Sequence, residues 1–285
     1  MKNFTFLRPE SLGEALRAKN KGGAKAHVLA GATNLMAYIK TGIFKEGSLI
    51  DITRLSELKG AKKVGNRLVI GAGATITELL ESPVVNKETP FLVDALKKFA
   101  NPLIRNKATI GGNIADASPI ADTAPVLLAL DAVVTAKSTK GVREIPINEF
   151  FKGPRKTVLT PAEIVTAISF VIPKKETVTF IKMGLRNGTA CSVTSAAAFL
   201  DVQKGKVKTV RVALGGVAPK PVRAAAVEAA FAGRVPTIAF CAEAAEKVRG
   251  DISPISDVRG SAEYRNDLAV TLVKRALAQC AGLEV

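Results

Sequence analysis

The sequence has no tryptophan, a single histidine, His27, and three cysteines, Cys191, Cys241 and Cys280, far apart from one another. Sulfur so scattered excludes a disulfide framework, and no CxxC, HxxH or HxxxH pairing is present to seat zinc or an iron–sulfur cluster. The three thiols are expected to be buried and inert. His27 lies inside a strand-like run and is expected to be structural, which leaves acid–base catalysis by this chain little to stand on. Aromatic residues are only 5% of the 285, too few for the stacking platforms of a single-strand binder. Long apolar runs are absent as well. The run Ala124 to Leu130 is cut by Asp131, well short of the roughly 18 residues that suggest a membrane span. Met1 to Pro9 holds no apolar stretch of secretory-leader length, so a cytoplasmic location without membrane insertion is expected.

Acidic residues are scarce relative to basic ones. Lys and Arg number 41 against 25 Asp and Glu, a net charge of +16. That balance draws nucleic acid, acidic lipid or acidic protein. The cations are spread along the whole chain, however, and no basic recognition helix or finger stands out. Docking against acidic subunits, or simple solubility, accounts for the charge better than nucleic-acid binding does.

What is present is a core-forming composition, 47% apolar, enough for two or three packed units, and a pair of glycine-bearing loops about 80 residues apart. These are Ala30-Gly31-Ala32-Thr33-Asn34-Leu35 and Thr109-Ile110-Gly111-Gly112-Asn113. Each follows a strand-like run, Ala26 to Leu29 and Lys107 to Ile110, and each leads into a helical segment. Small residues admit a ligand close to the backbone, and amides at a strand-to-helix turn converge on an anion. Two such loops suggest a diphosphate held from both sides. The Gly71-Ala72-Gly73 sequence lacks the third glycine and βαβ spacing of a dinucleotide fingerprint and reads as a strand-end turn.

The element order begins with a small α+β unit over residues 1–55. Its strands are Phe4 to Arg8, Ala26 to Leu29 and Ser48 to Ile52, and Ser11 caps a helix to Ala18. A second unit over 56–175 contains a strand at Arg67 to Gly71 and helices at Ile76 to Glu81, Phe91 to Ala100 and Asp122 to Leu130. Strands follow at Ala132 to Lys137, Val142 to Ile147 and Ile164 to Ile172. Lys174-Lys175-Glu176 reads as a hinge and puts a domain boundary near 175. From 176 to 285 three strands form an antiparallel meander, Thr177 to Leu185, Ser192 to Gln203 and Thr209 to Gly215. Helices at Arg223 to Ala232, Thr237 to Val248 and Glu263 to Gln279 cover it.

Taken in order, certain segments resemble the FAD-binding, or medium, subunit of molybdenum hydroxylases, the family of xanthine dehydrogenase, aldehyde oxidoreductase and carbon monoxide dehydrogenase. The segments are the two loops, Ala117-Ser118-Pro119-Ile120-Ala121-Asp122-Thr123, Gly153-Pro154-Arg155-Lys156, Lys182-Met183-Gly184-Leu185-Arg186, Leu214-Gly215-Gly216-Val217 and Ser256-Asp257-Val258-Arg259-Gly260-Ser261-Ala262-Glu263-Tyr264-Arg265. The resemblance implies an α+β fold of the vanillyl-alcohol-oxidase type, two subdomains clasping an extended FAD, followed by a smaller C-terminal domain. It places the FAD diphosphate on Val28, Leu29, Ala30, Gly31, Ala32, Thr33, Asn34 and Leu35 and on Thr109, Ile110, Gly111, Gly112 and Asn113. Asp122 matches an aspartate bonded to a cofactor hydroxyl, and as an acid at a helix start it also suits an ordinary structural role. Leu159 and Phe99 match cofactor contacts, and core packing suits both equally. Lys182 matches a lysine near the flavin ring, where a cation stabilises the reduced form; a solvated strand lysine is the alternative. No catalytic residue and no metal ligand is implied on this chain.

Ala32 stands where the family usually has a second glycine, so the backbone there is expected to be right-handed, or the diphosphate to sit farther off. The resemblance also implies partners: a large molybdopterin subunit and a small subunit with two [2Fe–2S] clusters, in a heterotrimer or its dimer. Electrons would pass from those clusters to FAD and on to NAD+ or another acceptor, with a purine such as xanthine or an aldehyde as substrate. A self-contained flavin oxidoreductase and a basic nucleic-acid module are the rival readings.

Overall fold

The computed structural model describes residues 3–284. The first unit holds β1 (Phe4–Leu7), α1 (Leu12–Gly22), β2 (Ala26–Leu29), α2 (Leu35–Lys40) and β3 (Gly47–Asp51). Its strands form a parallel sheet in the order β1-β3-β2. Ser11 Oγ accepts the Glu14 N–H and starts α1, satisfying one of the amides that a helix start leaves without a partner. Leu16, Ala26 and Ile50 close a small core that also takes Ile164 from the next unit.

The second unit runs through β4 (Ala61–Val64), β5 (Arg67–Gly71), α3 (Ile76–Glu81), α4 (Pro83–Glu88), α5 (Pro90–Lys97), α6 (Pro102–Arg105), α7 (Ile110–Ala115) and α8 (Thr123–Ala129). It continues with β6 (Val133–Ser138), β7 (Gly141–Pro146), α9 (Ile147–Phe150), β8 (Phe151–Gly153), β9 (Lys156–Thr157) and β10 (Ile164–Val171). The order β4-β5-β10-β6-β7 makes an antiparallel sheet, with β8 and β9 as a separate hairpin. Thr75 and Glu78 form a reciprocal capping box on α3. Proline opens α4, α5 and α6, where its missing N–H costs nothing. The Gly71-Ala72-Gly73 turn ends β5, and Gly73 N donates to Leu58 O. One expectation fails here. Lys107 to Ile110 is not a strand: Thr109 makes a single bridge to Thr75, and α7 begins at Ile110.

The C-terminal unit has β11 (Thr177–Gly184), β12 (Ser192–Gln203), β13 (Lys206–Gly215), β14 (Val222–Arg223), α10 (Ala225–Phe231), α11 (Ile238–Glu246) and α12 (Ala262–Cys280). The antiparallel meander has a fourth, two-residue strand where a helix was expected to start, because Val222 and Arg223 pair with Leu214 and Ala213. Every residue of β12 from Ser192 to Asp201 is buried, since the sheet is covered on both faces. Ala197, Phe199 and Ala213 pack into the core of the second unit, and Ala196, Ala198 and Leu200 pack with Leu272 and Ala276 of α12. Arg211 lies over the Phe199 ring at 3.7 Å and donates to Ala129 O at 2.6 Å. A cation thus sits on the last carbonyls of α8, where the helix dipole favours one. Among the described residues, no helix is long and apolar enough to cross a membrane.

Candidate cofactor cleft

A cleft of about 790 Å3 opens where the first unit meets α5 to α8 and the start of β12, within the range usual for sites of small ligands. Val28 and Ala30 through Leu35 form one wall. Thr109, Gly111, Gly112, Asn113, Phe99 and Leu159 form others, and Asp122 lies in the floor. Fourteen of the expected residues therefore converge, and three do not. Leu29 is not among the residues that line the cleft. Ile110 is fully buried in the core. Lys182 is outside the lining, its ammonium donating to Asp122 Oδ2 at 2.7 Å and Ala190 O at 3.0 Å.

The two loops do different jobs. In the first, the N–H groups of residues 31–35 meet no acceptor among the described residues, although buried or half-buried amides are normally paired. In the second, four of the five amides are taken: Ile110 N donates to Ala74 O, Gly111 N to Ala72 O, Gly112 N to Thr109 Oγ1 and Asn113 N to Thr109 O. The unpartnered amides are therefore concentrated in the first loop. The second loop's glycines serve packing. A Cβ on Gly111 would lie 2.5 Å from Ala72 Cβ, and one on Gly31 would lie 1.9 Å from Lys107 O. Gly31 and Gly111 let the two loops and the Ala72 turn close on one another, which shapes the cradle from behind.

Ala32 has φ +57°, so the expected right-handed backbone is not what forms. The left-handed turn is kept in spite of the methyl, at a cost of roughly 1 kcal/mol. This turn leads into α2 and leaves the amides of 31–35 free.

Three groups that the sequence did not assign to the site complete this end of the cleft. Asp116 accepts from Asn34 Nδ2 at 2.8 Å and from Tyr38 Oη at 3.3 Å. Arg155, in the turn between β8 and β9, lies over the Tyr38 ring at 5.6 Å. Burial, with the Asp116 carboxylate beside it, pushes the Tyr38 phenol up to about 12 against the pull of Arg155. The Asn34-to-Tyr38 spacing of one helical turn was a usable signal; the meeting with Asp116 and Arg155 was not. His27 also faces the cleft, its ring 4.3 Å from that of Phe44. Burial and nearby Lys19 lower its affinity for a proton, so it stands there neutral. Cys191 lies in the rim and is exposed, contrary to expectation, whereas Cys241 and Cys280 are buried. No group of His, Cys, Asp or Glu among the described residues is arranged for a metal ion.

At the floor, Asp122 is fixed from two sides. Oδ2 takes the Lys182 ammonium and Oδ1 accepts from Ser192 Oγ at 2.6 Å. The side chains of Asp122 and Lys182 are both 11% exposed. A carboxylate with two oxygens and about four acceptor positions keeps capacity for a further donor from the cleft. Unpartnered amides at one end, a fixed carboxylate in the floor and apolar walls at Phe99 and Leu159 suit an extended dinucleotide such as FAD.

Comparison with known proteins agrees. Residues 2–175 match the FAD binding domain in molybdopterin dehydrogenase, and residues 179–280 match the CO dehydrogenase flavoprotein C-terminal domain. The chain is 32% identical over 278 residues to the glyceraldehyde dehydrogenase medium chain of Sulfolobus acidocaldarius, covering 98% of both. It is also 32% identical over 283 residues to the carbon monoxide dehydrogenase medium chain of Hydrogenophaga pseudoflava, again covering 98% of both. A structure of the Hydrogenophaga pseudoflava enzyme superposes with a TM-score of 0.94 over 98% of this chain and 97% of that one, at 33% identity. The chain therefore belongs to the molybdopterin dehydrogenase family, as one of its FAD-binding medium subunits.

Proposed function

We propose that this chain is the electron-transfer subunit of a heteromeric molybdopterin hydroxylase, passing electrons from [2Fe–2S] clusters of a small partner subunit through FAD to NAD+ or another acceptor. The observation that carries this reading is the row of unpartnered amides at residues 31–35, facing a cleft of about 790 Å3. Bound FAD supplies the electron-transfer chemistry, and the protein supplies placement. The loop amides hold the diphosphate as a helix start holds an anion. Gly112 and Asn113 border it from the second loop, while Phe99 and Leu159 keep water from the ring. Asp122 accepts from a cofactor hydroxyl, and Lys182 acts behind it as a positioning residue.

The division of labour extends to domains: residues 1–175, with subdomains at 1–55 and 56–175, cradle the cofactor, and residues 176–285 close its floor. A large molybdopterin subunit completes the assembly, as a heterotrimer or its dimer, in the cytoplasm. The chain's cleft does not select the hydroxylated substrate, since relatives named for glyceraldehyde and for carbon monoxide are equally similar at 32% identity. A purine or an aldehyde is our reading. The test is an absorption spectrum of the purified chain, identification of the cofactor released on denaturation, and the proteins that co-purify. Oxidised-flavin bands with one FAD per chain support the cradle. A colourless chain that takes up no added FAD overturns it.

A further inference from the structure

We propose that Arg155 is the counter-ion of the cofactor's diphosphate, supplying the full positive charge that the loop amides lack. The inference rests on the placement of that diphosphate against residues 31–35, and it starts from the charges that line the cleft. Three carboxylates do so, Asp116, Asp122 and Glu163, with two cationic side chains, Lys19 and Arg155. A diphosphate adds further negative charge, which a site shielded from water accepts only against a cation or several donors. Most of the charges present are already matched. Asp122 holds Lys182 at 2.7 Å, and Glu163 takes Arg143 through both oxygens at 2.9 Å. Lys19 is spent as well: its ammonium donates to Gly23 O at 3.0 Å and Ala26 O at 2.7 Å, and burial lowers its affinity for a proton. Arg155 alone keeps its charge unused. Among the described residues its guanidinium joins no ion pair and no hydrogen bond, and lies over the Tyr38 ring at 5.6 Å.

The fold keeps that charge both placed and unspent. Arg155 has φ +58° and Ala117 φ +49°, and Arg155 N donates to Ala117 O at 3.1 Å. Left-handed backbone is costly for a residue other than glycine, and here two such residues fix the β8–β9 turn against the end of α7. Asp116, next to Ala117, is the carboxylate that would quench Arg155. Its Oδ2 instead accepts from Asn34 Nδ2 at 2.8 Å and from Tyr38 Oη at 3.3 Å. Asn34 belongs to the first loop and Tyr38 lies one helical turn on, so the loop itself occupies Asp116 and leaves the guanidinium to the ligand. Tyr38 serves twice, since its ring face also carries the cation. A guanidinium presents its donors in a planar fork, the geometry that matches phosphate oxygens in pairs.

The experiment titrates the full chain, stripped of cofactor, with FAD, follows flavin fluorescence, and compares wild type with Arg155→Gln, Arg155→Lys and Asp116→Asn. Arg155→Gln should weaken FAD binding on the order of tenfold to a hundredfold, the worth of a charge-assisted bond, and flatten its dependence on salt. Arg155→Lys should recover part of the loss, keeping the charge without the fork. Asp116→Asn keeps both accepted bonds and removes a negative charge, so FAD should bind more tightly. ADP, which carries a diphosphate and no flavin ring, should lose the same factor as FAD when it competes for the Arg155→Gln chain. Arg155 is exposed, so the unfolding midpoint of the cofactor-free Arg155→Gln chain should stay at the wild-type value. Unchanged affinity and salt dependence in Arg155→Gln overturn the counter-ion and leave the cleft standing as the FAD site. Weaker binding in both Arg155→Gln and Asp116→Asn would make the cluster a structural brace and overturn it too. A loss for FAD that ADP does not share would put Arg155 on another part of the cofactor, again against the inference. A wild-type chain that takes up no FAD overturns the inference together with the reading of the cleft.

Discussion

At the residue scale, single atoms decide how the first loop works. Ala32 holds φ +57°, a region glycine enters freely and alanine does not. Ala32→Gly should raise stability by about 0.5–1 kcal/mol, the relieved strain being partly offset by the greater freedom of glycine when unfolded. Urea unfolding of the cofactor-free chain reads this out. Gly111 is the opposite case. Any side chain there meets Ala72 before it reaches the cleft, so Gly111→Val should lower the unfolding midpoint even in cofactor-free protein. A variant that lost only FAD and kept wild-type stability would show that the ligand, not Ala72, sets the constraint. Tyr38 gives a pH test. Its phenol is pushed from the ordinary tyrosine value of 10.0 up to about 12, so the stabilisation is complete below pH 10 and is lost as pH rises through about 12. In a Tyr264→Phe background, where Tyr38 is the remaining tyrosine of the two, tyrosinate absorbance should rise near pH 12.

At the element scale, the joint between α8 and the β11–β12 pair carries the cleft's floor. Asp122 sits at the start of α8, and its partners Lys182 and Ser192 come from β11 and β12. Removing one member of such a nearly buried pair leaves a charge without a partner, so Lys182→Met should cost about 3 kcal/mol, more than the paired replacement of Lys182 and Asp122 together. Thermal unfolding of the two singles and the double measures the coupling. Elements with strong periodicity or caps were legible in the sequence, as at Ser11, α12 and the long strands β12 and β13. The start of α7 was not. Thr-Ile beside two glycines reads as a strand entering a loop, and only the Thr109 cap and the Ala72 and Ala74 carbonyls turn it into a helix. Short elements such as β4 and β14 exist by pairing with a neighbour and leave little mark of their own.

At the scale of the whole molecule, ligand and fold share one free energy. FAD bound to the folded chain alone should stabilise it by about 2.7 kcal/mol at a hundredfold excess over Kd, which is roughly 5–10 °C for a domain of this size. Scanning calorimetry with and without FAD checks this; equal unfolding temperatures would mean that the cleft does not hold the dinucleotide.

The sequence by itself determined the α+β class, the order of the long elements and the family. Hydrophobic period, caps and small-residue motifs are local properties, and neighbours in the chain suffice to express them. Tertiary structure decided the rest: that most amides of the second loop are taken up within the fold, that Lys182 is bonded to Asp122 and Ala190, and that Tyr38, Asp116 and Arg155 meet. Those outcomes depend on which atoms fill the space across roughly 40 to 120 residues of intervening chain, and close packing leaves each amide and each charge one arrangement that satisfies it.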